Sequence, residues 1–255
     1  MKHIHEFLIN RRIDNKIDQY TYHPETKKEL ISIIVKLLNQ GIHDLNCIDV
    51  SAITDMSDLF NSEYVIDINP YSDIDISKWD VSNVKNMEYM FYNCENFNQS
   101  LNDWNTGNVE SMSNMFEGCK EFNQPLNDWN VSNVKTMLYM FAGCKKFNQP
   151  LDNWNVGNVT NTSFMFATCE KFNQNLNDWN VSNVVNTQCM FGGCESFNKT
   201  LDKWNVRNVE NMNFMFLRCT KFNQNLDSWN PDSLKHNKDI FELCISLKNK
   251  PKWYK

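Results

Sequence analysis

The sequence predicts an α/β repeat solenoid: a stack of coils, each with short parallel strands and one short helix, closed by a helical cap at either end. Three observations predict it. Tryptophan recurs at Trp79, Trp104, Trp129, Trp154, Trp179, Trp204 and Trp229, one every 25 residues. Phenylalanine keeps the same step from Phe91 to Phe241, and cysteine from Cys94 to Cys244. A fixed period of about 20–50 residues marks an array whose units bury their apolar faces only by stacking.

The 41% hydrophobic and 13% aromatic content supports a core. A net charge of −6, with lysine and glutamate interspersed, argues against nucleic acid as a main partner, because phosphate binding needs a basic face. The longest apolar run, Ile31 to Leu38, is broken by Ser32 and Lys36, so no membrane insertion is expected. Met1 to Asp18 shows neither the apolar run nor the cleavage site of a secretory leader. Of nine cysteines, seven share one repeat position; Cys47 and Cys189 are extra. That spacing is not a disulfide framework. Buried free thiols are the preferred reading, and they place the chain inside a cell in a reducing compartment. A rung-to-rung disulfide stays sterically open.

Three regions follow: an N-terminal segment and capping helix over 1–47, the repeats over 48–230, and a closing helix with tail over 231–255. In the first, Pro24 suits the first helical position, and Leu30, Ile33, Ile34, Leu37 and Leu38 form one apolar stripe. Gly41 stops the helix as a C′ residue. Val50 to Phe60 aligns with Val81 to Phe91 at an offset of 31, so the first coil carries extra residues around Glu63 to Tyr71. Glu63 stands there in place of the repeat cysteine.

Within one repeat the Trp79, Val84, Met90, Phe91, Phe97 and Leu101 positions stay almost uniformly apolar. Burying one such side chain contributes about 1.5–3 kcal/mol. The 86 position reads Asn, Ser, Thr, Asn, Asn, Asn, all N-cap residues, and the 93 position is rich in glycine. These predict a short helix over about 87–92. Backbone pairing between coils predicts short parallel strands near Val81–Val84 and Phe97–Asp103, the second limited by Pro125 and Pro150. Asparagine is almost unbroken at 83, 98 and 105, which predicts stacked amide ladders. Gln99, Gln124, Gln149 and Gln174 fit either a further ladder or an exposed recognition stripe.

The signature W-[ND]-V-S-N-V-x-x-M-x-x-M-F-x-x-C-x-x-F-N-Q-x-L, running from Trp79 to about Leu226, closely resembles the BspA-like leucine-rich-repeat proteins. The lead-in Tyr22–Phe60 resembles the segment before such repeats. The resemblance implies a right-handed, leucine-rich-repeat-like stack and a binding or adhesion module without catalytic residues. Members occur on bacterial surfaces, in protists and in large DNA viruses. This sequence lacks the secretion signal and anchor of the surface members, which points to cytoplasm, host cytoplasm or virion.

Binding in such an array belongs to positions that change between coils. The 89 position reads Tyr89, Asn114, Tyr139, Phe164, Cys189, Phe214. Tyr89, Tyr139, Phe164 and Phe214 are either hot-spot material or packing between neighbouring units. Opposite charges on adjacent coils, such as Glu95 with Lys120 and Lys145 with Glu170, predict exposed ion pairs worth about 0–1 kcal/mol each. Asp103, Asp128, Asp152, Asp178 and Asp202 recur once per coil and read as turn caps before tryptophan, with calcium the lesser reading. All five histidines lie outside the regular coils, and His3 and His5 read as an inert terminus. No Cys-x-x-Cys pair, glycine-rich phosphate loop or nucleophile elbow is present, and no cofactor is expected. Pro231 to Lys248 predicts a closing helix, and Lys250 to Lys255 a tail that folds back on the cap or serves as a docking tag. The reading is a non-catalytic scaffold for an unknown protein partner. The alternatives are a structural component that self-associates end to end, or an adhesin.

Overall fold

Among the described residues, 20–61 and 73–254 of the computed structural model, the one α-helix is α1 (Lys27–Asn39). Expectations for Met1–Asp18, for His3 and His5, and for the extra residues around Glu63 to Tyr71 lie outside the described residues. α1 starts three residues beyond Pro24, so Pro24 does not hold the first helical position. Thr26 is its N-cap: the Thr26 hydroxyl accepts from Glu29 N at 3.3 Å, and the Glu29 carboxylate accepts from Thr26 N at 3.3 Å. Gly41 follows the helix at φ +73°, a left-handed stop that glycine adopts without a Cβ clash. Leu30, Ile34, Leu37 and Leu38 are buried, while Ile33 sits half-buried on the flank of the stripe.

Beyond α1 the chain is a repeat fold built from turns. The expected helix at 87–92 does not form. Tyr89 and Asn93 both have positive φ, 56° and 57°, and every later repeat shows the same pair of left-handed residues. A left-handed residue mid-segment ends a right-handed helix before it propagates. The backbone instead runs through consecutive turns, with Met90 N donating to Met87 O, Tyr92 N to Tyr89 O, and Cys94 N to Phe91 O. The intervening donors face the next repeat. Met87, Tyr89, Phe91 and Asn93 N–H groups bond Ser111, Ser113, Met115 and Glu117 carbonyls at 2.7–3.1 Å. Half of this segment's donors are thus satisfied locally and half by the neighbour, which is why it buries without orphaned groups.

The expected strands near Val81–Val84 and Phe97–Asp103 are also replaced. Among the described residues parallel pairing is limited to single-residue bridges: a run at the 86 position through Asp55, Asn86, Ser111, Thr136, Asn161, Asn186, Asn211 and His236, and two near the N-terminal end, Tyr22 with Ile48 and Asp44 with Asp75. The asparagine there caps a turn, not a helix: Asn86 Oδ1 accepts from Glu88 N at 3.0 Å. Residues 231–254 do not form the expected closing helix but repeat the same turns. Ring stacking of Phe241 on Phe216 at 5.6 Å and of Trp253 on Trp229 at 6.0 Å puts the tail inside the aromatic layers. His236 therefore belongs to a regular repeat.

The core is a set of columns. Phe91, Phe116, Phe141, Phe166, Phe191 and Phe216 stack at 5.5–5.8 Å with nearly parallel rings, and Phe97 begins a second column at 5.9–6.1 Å. Trp104 pairs with Trp129, and Trp154 with Trp179, both at 6.3 Å. Met90, Phe91, Phe97 and Leu101 are almost fully buried, as are their counterparts in the following repeats up to Leu226. Each phenylalanine is covered by the ring of the next repeat, so no single repeat holds this core by itself.

Candidate interaction surface

The amide positions divide by role. Asn98, Asn123, Asn148, Asn173 and Asn198 each accept from the backbone N–H of the asparagine one repeat on, at 2.9 Å. Gln124, Gln149 and Gln174 reach back to donate to the Asn98, Asn123 and Asn148 carbonyls at 2.8–3.0 Å. These glutamines and Gln99 are half-buried. The Nε2 groups of Gln124, Gln149 and Gln174 also donate to the Asn98, Asn123 and Asn148 side-chain oxygens, so these three amides are engaged by the ladder. Asn83 and Asn108 instead donate to the Ser51 and Ser82 carbonyls at 2.8 and 2.6 Å. Asn105 and Asn130 hold local turns by accepting from Gly107 N and Ser132 N.

The 89 position is the least regular chemically and the most constrained in backbone. Tyr89, Asn114, Tyr139, Phe164, Cys189 and Phe214 all have φ between 51° and 59°. Each residue's N–H and C=O are locked, one to the next repeat and one to its own turn. The side chains therefore project from a fixed frame. Tyr139 and Phe164 stack at 4.4 Å with 6° between their planes. Tyr89 is 37% exposed and packs edge-on to Tyr92 at 5.5 Å. Phe214 lies under the Lys238 ammonium at 5.6 Å. Between them Asn114 turns inward and bonds Glu117. The structure brings Tyr139 and Phe164 together and sets Tyr89 and Phe214 in the same column, with Asn114 and Cys189 interrupting it. The glutamines form a separate row.

One feature of the residues hints at this backbone. Asp58, Asn114 and Asp239 occupy the 89 position and tolerate left-handed φ better than other residues, but the aromatics around them mask the signal. The repeat thiols are buried as small hydrophobes and also act as donors. Each repeat cysteine directs its S–H at the phenylalanine carbonyl one repeat back, as Cys144 does to Phe116 O at 3.0 Å. Burial pushes the Cys94 thiol up to about 12. Burial likewise raises Cys119, Cys144 and Cys194. The recurring aspartates do not cap the turns as expected: Asp128 and Asp202 accept from the Asn102 and Asn177 amides at 2.9 and 2.8 Å, one repeat away. Lys120 with Glu95 and Lys145 with Glu170 pair at 2.5 and 2.9 Å. Among the described residues no three His, Cys, Asp or Glu side chains form a metal-holding group, and no helix is long and apolar enough to cross a membrane.

The profile of one family, described as "Mycoplasma protein of unknown function, DUF285", matches residues 67–174 and again 144–254. No curated protein matches the chain.

Proposed function

The chain belongs to the DUF285 family, whose function is unknown, and from that premise we propose that it is a non-catalytic protein-interaction scaffold. In this reading it is a right-handed solenoid of the BspA-like leucine-rich-repeat type, working in a reducing compartment. A protein partner docks along the 89-position aromatics Tyr89, Tyr139, Phe164 and Phe214, with the Gln99 to Gln174 row as its second contact line.

The observation that supports it is the Tyr139–Phe164 pair, stacked at 4.4 Å on backbone fixed from both sides. Aromatic rings held rigid lose little entropy when a partner covers them, which is what makes such residues hot spots. Left-handed φ at large side chains is costly, about 1 kcal/mol or more each, and a repeat that only needed to pack could place glycine there. The test compares the parent with the variant Tyr89→Ser, Tyr139→Ser, Phe164→Ser and Phe214→Ser in capture from lysate of the native source. Loss of the captured protein, with near-ultraviolet dichroism unchanged, supports lateral recognition. Equal capture by a folded variant removes it.

A further inference from the structure

Over the 87–93 segment every interface between neighbouring repeats uses the same backbone polarity, while at the 85 position the bond runs the other way, as from Glu110 N to Lys85 O. Donors at the 87, 89, 91 and 93 positions meet carbonyls at 86, 88, 90 and 92 of the repeat that follows. The last such ladder joins Met212, Phe214, Phe216 and Arg218 N–H groups to the His236, Lys238, Ile240 and Glu242 carbonyls at 2.8–2.9 Å. In the repeat 231–254 the corresponding donors, Asn237, Asp239, Phe241 and Leu243 N–H, meet no acceptor among the described residues. Beside them stand the two most exposed large apolar side chains described, Leu243 at 54% and Ile245 at 80%. Tyr254 sits edge-on against Phe241 at 5.3 Å, so the aromatic core is covered while the backbone edge is not.

The opposite end presents the complement. The carbonyls of Asp55, Ser57 and Leu59 occupy the 86, 88 and 90 positions of the first repeat and accept from no described residue. α1 closes the core there. Its Lys27 reaches over this edge, but it bonds the Ser57 hydroxyl at 2.6 Å and the Asp55 carboxylate at 3.5 Å, leaving the backbone acceptors unused. Charge agrees with polarity. Residues 44–61 carry four aspartates and no lysine or arginine, whereas 231–254 carry five lysines against three carboxylates.

We propose that the donor edge of 231–254 takes the first repeat of a second copy of this chain, head to tail. In the register of the internal ladders, Asn237, Asp239 and Phe241 N–H would meet Asp55, Ser57 and Leu59 carbonyls. Tail-to-tail pairing would set donors against donors. An unpaired edge is a template for such addition, and a heterologous contact of this kind does not close on itself, so it grows beyond a dimer. Opposite net charge at the two ends makes the association weaken with salt. This edge meets the aromatic row only at Phe214, through Lys238, and the two proposals are read by different measurements, self-association here and partner capture there.

The experiment is sedimentation velocity of the full chain over a roughly hundredfold concentration range, at low and high salt. The expected result is a weight-average mass that climbs past two chains of 30.2 kDa and falls when salt is added. The double variant Leu243→Lys with Ile245→Lys should weaken association at least tenfold. If that variant does not fold, Lys238→Glu, on an exposed side chain of the same edge, decides: it should weaken association and blunt the salt effect. A parent that stays at one chain's mass at every concentration overturns the proposal. So does association that these substitutions leave unchanged.

Discussion

The indole N–H of Trp129 donates to the carbonyl oxygen of Leu101 at 2.8 Å, and that same oxygen accepts from Trp104 N at 3.2 Å. One acceptor therefore closes a turn in its own repeat and ties down the tryptophan of the next. The pattern recurs at Trp154 with Leu126, Trp179 with Leu151, Trp204 with Leu176 and Trp229 with Leu201, at 2.8–2.9 Å. Trp129→Phe keeps an aromatic ring but removes the donor and part of the volume. The Leu101 carbonyl keeps its turn bond, so the hydrogen-bond share of the loss is small, about 0.5–1.5 kcal/mol. With the unfilled space added, a total of about 2–3 kcal/mol is expected, read from urea unfolding. A loss under about half a kilocalorie would show that the indole bond is not a tie between repeats.

The asparagine ladder separates acceptor from shape. Asn148 Oδ1 accepts from Asn173 N at 2.9 Å and from Gln174 Nε2 at 2.9 Å. Asn148→Ala leaves a half-buried backbone donor with nothing to meet, which costs about 1–3 kcal/mol. Asn148→Asp keeps an acceptor in place and is expected to lose less than half as much near neutral pH. Equal losses in the two variants would mean that the side chain's packing, not its oxygen, supports the ladder. Urea midpoints of the two variants and the parent decide it.

The periodicity of tryptophan, phenylalanine and cysteine made the stacking and nearly the whole core legible, because burial by a neighbour demands the same residue at the same place in each repeat. The backbone between those residues was not legible. An N-cap type at 86, glycines at 93 and apolar residues three to four apart at Met87, Met90, Phe91 and Cys94 spell a helix by local rules. The pairing of Tyr89 N and Phe91 N with the next repeat overrides those rules. Helical and turn backbones bury the same side chains here, so composition could not choose between them. Likewise Pro231, a good helix starter, misled at 231–248, where Trp253 and Phe241 continue the columns. At the candidate surface the sequence singled out the variable residues, but the left-handed frame that aims them depends on bonds to a neighbouring repeat.

That frame makes a prediction at the 93 position, which is left-handed in each repeat from Asn93 to Leu243. Gly118, Gly143 and Gly193 occupy it at φ 76–77°, whereas Thr168 and Arg218 hold it at 58° and 59°. A β-branched residue is poorly suited to that region. Thr168 is exposed, so its side chain contributes little packing. Thr168→Gly should stabilise by about 1 kcal/mol, an unusual sign for replacement by glycine. The reverse change, Gly143→Ala, should destabilise by about 1–2 kcal/mol, with the new Cβ 3.4 Å from the Gly118 backbone. Thermal melts of the pair give opposite shifts if the frame is as described.

The buried thiol column predicts a loss of stability at alkaline pH. Burial holds the Cys94 thiol at about 12 and the Cys244 thiol at about 11, against an ordinary value of 9.0, and raises the cysteines between them in the same direction. Well below pH 9 both folded and unfolded chains keep these protons, and stability is unaffected by them. Above it the unfolded chain releases them while the folded chain does not, so unfolding gains about 1.4 kcal/mol per pH unit for each such thiol. The loss continues until pH passes the folded values. Urea midpoints should therefore be nearly level from pH 7 to 8 and fall steeply between pH 9 and 10. Cys144→Ala removes one buried thiol and its bond to Phe116 O. It should start less stable at pH 7 yet show a shallower alkaline slope, by one proton's worth. An unchanged slope in that variant, with the fold intact, would assign the alkaline loss to lysine or tyrosine titration instead.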